Sequence, residues 1–142
     1  MDKKNFFRLE EFTHSKTAIK LGIKNEPNEE QILNLTALVN NVLQPLRDKL
    51  GKPVVITSGF RSPALNKAVG GSPNSQHMKG EAVDIRVSSP IDAIRKLHII
   101  IEHGIYDQLL LEIKANNGSI WIHVSCKCDI NSNRKQFKII LK

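Results

Sequence analysis

Within Ser75-Gln76-His77-Met78-Lys79-Gly80-Glu81-Ala82-Val83-Asp84, an imidazole at His77 and a carboxylate at Asp84 flank a glycine, Gly80. The chain is loop-like before His77 and strand-like after Glu81. A nitrogen and an oxygen donor, delivered by a loop and the strand that follows it, are what a catalytic zinc site takes from one segment. Such a site usually has a third protein ligand and keeps a fourth position open for water. The rest of the chain must therefore supply that ligand, a base and a substrate anchor.

A hairpin near the C-terminal end offers two of these. Residues 107–113 and 119–125 read as strands flanking Ala115-Asn116-Asn117-Gly118, and Asn-Gly is a strong signal for a two-residue hairpin turn. With that turn, Asn116 faces Ser119 and Glu112 falls opposite His123. A four-residue loop shifts the pairing by two and still leaves Glu112 on the face of His123 and Trp121. Leu109, Leu111, Ile122 and Val124 take the other face, as a core requires. His77, Asp84 and His123 are then candidate zinc ligands, and Glu112 is a candidate base that takes a proton from water and passes it to the leaving amine. Spacing alone also allows the plainer arrangement, in which Glu112 and His123 form an ion pair on a sheet face.

The elements that must hold these groups follow from local patterns. Residues 1–27 form an N-terminal arm in which Phe6, Phe7, Leu9 and Phe12 are apolar anchors and a short helix ends near Gly22. Asn28 with Glu29, Glu30 and Gln31 is a helix start with a capping side chain and acids in the first turn. Ile32, Leu35, Val39, Val42, Leu43, Leu46 and Leu50 give that helix an apolar stripe over residues 29–49, with Pro45 expected to kink or divide it. Residues 54–57 read as a short strand, 60–63 as a turn and 64–69 as a helical turn. The run from Gly70 to Ser75 is loop. In residues 82–87, Val83, Ile85 and Val87 share one strand face, leaving Asp84 on the less apolar one. Ser89-Pro90 starts a helix along which Ile91, Ile94, Leu97, His98 and Ile101 run before Gly104 ends it. His98 and His103, near its last turns, read as structural. A final strand is expected within residues 134–141.

Composition sets the outer limits. A chain of 142 residues, 40% hydrophobic and 25% charged, fits one soluble domain with a single core. No apolar run is long enough to span a membrane, and the first residues lack the apolar core of a secretory signal. Synthesis in the cytoplasm is expected, with release toward the cell wall by a phage-type route. The net charge of +7 suits an anionic partner, but the basic residues are scattered and no aromatic-interleaved basic motif marks nucleic-acid binding. Cys126 and Cys128, two apart, read as free thiols.

Ser58-Gly59-Phe60-Arg61-Ser62, then Ser75 to Ile85, then Trp121-Ile122-His123-Val124-Ser125 together resemble the peptidase M15 family. These are zinc D-Ala-D-Ala carboxypeptidases and related phage endolysins of the hedgehog/DD-peptidase fold. The likeness extends to Leu43-Gln44-Pro45-Leu46-Arg47 and to Asn133-Arg134. It implies an α+β fold, a small antiparallel sheet with helices packed on one side, and zinc on His77, Asp84 and His123. It also implies that Arg61 steadies the scissile carbonyl oxygen as it gains charge and that Ser75 contacts substrate. One departure stands out. Many relatives place a catalytic Glu three residues before the last His, and here that position is Ile120. Glu112 is the candidate base in its stead and Asp107 the runner-up. The implied activity is hydrolysis of an amide bond in peptidoglycan stem peptides, either D-Ala-D-Ala or an L-alanyl–D-amino-acid link, by a monomer that binds no nucleic acid. The alternative is a non-catalytic, zinc-bearing structural or binding module of the same fold.

Overall fold

The computed structural model of the chain describes residues 6–142. The first five residues of the N-terminal arm lie outside the described part. The architecture is α+β, with five strands and six α-helices among the described residues: α1 Leu9–Thr13, α2 Lys16–Leu21, α3 Glu29–Leu38, α4 Gln44–Leu50, β1 Ile56–Ser58, α5 Pro63–Ala68, β2 Ala82–Arg86, α6 Pro90–His103, β3 Gln108–Ile113, β4 Ile120–Ser125 and β5 Gln136–Leu141.

The helix starts follow the capping chemistry of the sequence. Asn28 accepts from the Gln31 amide while the Gln31 side chain accepts from the Asn28 amide, a closed capping box. Ser15, Ser62 and Ser89 cap α2, α5 and α6 by accepting from an amide of the first turn. The long apolar pattern over residues 29–49 is divided as Pro45 requires. One π turn, Val39–Leu43, separates α3 from α4, and the Gln44 amide bonds back to Val39 O. A proline lacks the amide of its own turn, and widening the preceding turn absorbs that loss without ending the helix.

The sheet order is β1-β2-β4-β3-β5. The first four strands pair antiparallel, as expected, but β5 pairs parallel to β3. The cause is where the chain re-enters. β4 ends beside the start of β3, so a strand laid on the far side of β3 runs in β3's direction. Asp107 fixes that crossing: its carboxylate accepts from the Arg134 amide and its carbonyl from the Gln136 amide. The hairpin between β3 and β4 uses the four-residue loop. Lys114 pairs with Ser119, Leu110 lies opposite His123, and Glu112 lies opposite Trp121.

Val83, Ile85, Leu109, Ile122 and Val124 face the helices and pack with Leu35, Leu38, Val39, Val42, Leu43 and Leu46 of the long helical segment. Phe7 and Phe12 join the same core. The other sheet face carries Asp84, His123, Leu110 and Glu112. On α6 the apolar residues divide differently from a simple stripe. Ala93, Leu97 and Ile100 turn inward, whereas Ile91 and Ile94 are 73% and 64% exposed. An ion pair decides the rotation: Lys96 Nζ lies 2.7 Å from Asp92 Oδ2 and also donates to Arg86 O, drawing both charged residues to the inner side. Among the described residues, no helix is long and apolar enough to cross a membrane.

Candidate metal centre

His77 is placed by a single 3₁₀ turn, Gln76–Lys79, whose N-cap Ser75 accepts from the His77 amide at 3.2 Å. Gly80 ends the turn at φ 75°, a left-handed conformation that costs other L-residues about 1–2 kcal/mol. The turn lies tight on α3. Gln31 Nε2 donates to Met78 O, Asn34 Nδ2 donates to Lys79 O, and a Cβ at position 80 would lie 2.5 Å from Gln31 O. From Gly80 the chain enters β2, where Asp84 stands opposite His123 of β4. A register irregularity in β1 between Ile56 and Ser58 sets Ser58 beside Asp84. The next residue, Gly59, then presents its carbonyl to His77 Nδ1 at 2.7 Å.

That carbonyl can only accept, so the Nδ1 proton of His77 is used there and the Nε2 lone pair turns inward. It faces Asp84 Oδ1 at 3.4 Å, and the same oxygen lies 3.1 Å from His123 Nδ1. One donor atom from each of the three residues falls within 4.8 Å of the others. Two imidazole nitrogens and a carboxylate oxygen, buried or nearly so, with one histidine locked through its far nitrogen, form the donor set of a three-ligand metal site. The residues present fit a divalent cation. Burial raises the Asp84 pKa, but the imidazoles of His123 and His77 beside it outweigh that and hold the carboxyl well below the usual carboxylate range. Its oxygens are thus kept in ligand form.

Around the trio is a cleft of about 380 Å³ lined by Arg61, Ser75, Gln76, Gln108, Glu112, Arg134 and Lys142, among others. A larger concavity between α4 and α6 holds none of these groups. Arg61 reaches in from the loop after β1. Its backbone amide donates to His77 O, its Nε donates to Ser58 Oγ, and Nη2 lies 3.6 Å from Asp84 Oδ2. Burial lowers the guanidinium's pKa, and Asp84 and Glu112 oppose that shift. Glu112 is 6% exposed, and its Oε2 lies 3.0 Å from Lys142 Nζ. Two expected site residues therefore have definite surroundings: Ser75 both caps the turn and lines the cleft, and Glu112 lies in the cleft diagonal to His123.

Asp107 is placed otherwise. It has no solvent exposure, and its carboxylate accepts from the Arg134 amide, Nε and Nη2 and from Gln76 Nε2. Burial raises its pKa and the Arg134 hydrogen bonds overcome that, leaving it at about 2. A carboxylate so engaged is a poor proton acceptor for substrate chemistry. Sequence patterns gave no sign of this cluster, since its members lie 27 and 31 residues apart and follow no periodicity. Nor did they point to Lys142 as the partner of Glu112. Cys126 is buried, Cys128 is exposed, and both are free.

The profile of the family described as Peptidase M15 matches residues 5–125. This chain belongs to the peptidase M15 family. Within it, 48 residues are 46% identical to the zinc D-Ala-D-Ala carboxypeptidase of Streptomyces albus G, covering 33% of this chain. The match spans 19% of that relative's length, about a fifth. As an M15 member the chain is assigned to the peptide hydrolases, and its His-Asp-His trio is a group able to bind a metal.

Proposed function

We propose that this chain is a zinc metallopeptidase that hydrolyses an amide bond in peptidoglycan stem peptides, at D-Ala-D-Ala or at an L-alanyl–D-amino-acid link. The observation that carries the reading is the convergence of His77, Asp84 and His123 at a cleft that also holds Arg61 and Glu112. Held by these three ligands, zinc would polarise the scissile carbonyl and acidify water at its open position. The remaining chemistry belongs to the chain. Arg61, fixed by Ser58 and Asp84, presents positive charge where the carbonyl oxygen becomes anionic. Glu112 takes the proton of the attacking water and delivers it to the leaving amine. Lys142 Nζ, 3.0 Å from Oε2, holds the carboxylate in the cleft. Ser75, already turned toward the cleft, hydrogen-bonds the peptide backbone.

The cleft lining suits this substrate class. It consists of charged residues, amides, serines and glycines, with no large apolar side chain among the described residues. A stem peptide offers that surface small alanyl side chains, amides and carboxylates. The alternative of a non-catalytic metal module draws its support from Ile120, which stands where many relatives have the base. A carboxylate within the same cleft, on the neighbouring strand, weighs against it.

The test is a digest of defined stem peptides read by mass spectrometry, with and without a chelator. Loss of one D-alanine is expected of a carboxypeptidase and release of the L-alanyl end of an endopeptidase, each abolished by chelation and restored by zinc. Intact peptides in the presence of zinc-loaded protein would overturn the reading.

A further inference from the structure

The buried Asp107 cluster does more than hold β5. Burying a carboxylate completely is costly unless it is paired and hydrogen-bonded. Here most of that pairing comes from one residue: Arg134 gives Asp107 its backbone amide at 2.8 Å, Nε at 3.1 Å and Nη2 at 2.8 Å, with Gln76 Nε2 at 3.0 Å and Lys127 Nζ at 3.9 Å beside them. A clamp serving the fold alone would be buried with its partner. Instead the Arg134 side chain is 51% exposed and lines the metal cleft.

The guanidinium has five N–H donors in a fixed plane, and Asp107 uses two of them. Nη1 and the second proton of Nη2 remain, forming the outward edge of a fork whose geometry matches a carboxylate. Charge in the cleft points the same way. Arg61 is paired there with Asp84, and Lys142 with Glu112. Arg134 is the cleft cation whose acidic partner lies beneath the lining rather than within it. Its orientation is also tied to the metal ligands, because Gln76 Nε2 donates to the same carboxylate at 3.0 Å and Gln76 directly precedes His77. The distance from the trio to the fork is therefore set by a hydrogen-bonded frame.

The geometry points to Arg134 as a specificity residue that binds a carboxylate of the substrate peptide and so sets which bond lies over the metal centre. This rests on the peptidase reading of the cleft. The carboxylate is either the C-terminal one or that of an acidic residue within the stem, and the two sources are separable by experiment.

The experiment compares two matched peptide pairs on the zinc-loaded full chain: C-terminal acid against C-terminal amide, and a D-glutamyl free carboxylate against its amide. Kinetics and equilibrium binding of the same peptides are both measured. In one pair, the carboxylate form is expected to have a KM or Kd about ten- to a hundred-fold lower, the value of a charge-assisted bidentate contact, and that pair names the source. Arg134→Gln should erase the preference and Arg134→Lys should restore part of it, with kcat changing far less than KM. Equal kcat/KM and Kd within both pairs for the native protein would overturn the inference. So would an Arg134→Gln variant with native zinc content and circular dichroism that keeps the preference. Should Arg134→Gln fail to fold, the native protein's acid-to-amide ratio still decides. Binding with the carboxylate preference but no cleavage would contradict the peptidase reading while leaving the anchor standing.

Discussion

At the scale of single residues the proposed function divides the site into groups that hold and groups that would react. His77 is held by Gly59 O, Asp84 by the two histidines, and Arg61 by Ser58 and Asp84. Glu112 is the acid of the cleft that is not committed to a ligand position. Glu112→Gln is therefore expected to lower kcat by about two to four orders of magnitude while zinc stays bound at one per chain. The equivalent Asp107→Asn change should instead act on stability. Its sign follows from the folded pKa of about 2, which lies below the unfolded carboxyl near 3.9. The stabilisation is complete above about pH 5 and is lost as pH falls through about 2, amounting to about 2–3 kcal/mol. Removing the partner with Arg134→Gln should raise the midpoint of acid unfolding, measured by circular dichroism against pH. An unchanged midpoint would mean the pairing contributes nothing.

At the scale of elements, the 3₁₀ turn carrying His77 is the critical part. Gly80 combines a left-handed backbone with a close approach to Gln31 O, whereas Gly22 is left-handed with open space where a Cβ would stand. Gly22→Ala should cost about 1 kcal/mol from backbone strain alone. Gly80→Ala should cost clearly more in urea unfolding and should also weaken zinc binding, because α3 and the turn must separate. Much of this was legible in the sequence: the capping box at Asn28, the Pro45 division, the Ser89-Pro90 start and the alternation that sends Asp84 away from Val83 and Ile85. The register of the hairpin was legible only to within two residues, because Asn-Gly serves both two- and four-residue connections. Glu112 keeps the same face in either register, since a shift of two preserves the strand period. The rotation of α6 and the parallel pairing of β5 were not legible. Each is set by buried charges: Asp92 and Lys96 are an i,i+4 pair whose burial the sequence does not announce, and Asp107 meets Arg134 from 27 residues away.

At the scale of the whole molecule, one sheet face builds the core with α3, α4 and α6, and the other is left to the site. The candidate ligands come from a turn and two neighbouring strands, so metal binding should report on the assembled fold. At free zinc about a hundred times Kd, stability should rise by about 2.7 kcal/mol. For a domain of this size that raises Tm by about 8 °C. Thermal denaturation with and without chelator measures this, and His123→Ala should abolish the shift. The motif residues of the trio were visible in the sequence because each ligand type sits in a recognisable local frame. Arg61 was marked by the family resemblance, but the clustering of Gln76, Arg134 and Lys142 around them was not legible, because it depends on how distant segments meet. The most direct test of the central claim is a titration of zinc into the chelated protein, with hydrolysis of a stem peptide followed at each addition. The rate should rise linearly to one equivalent and then level off, with Asp84→Ala giving no rise. A rate independent of zinc, or an unchanged titration in Asp84→Ala, would contradict it.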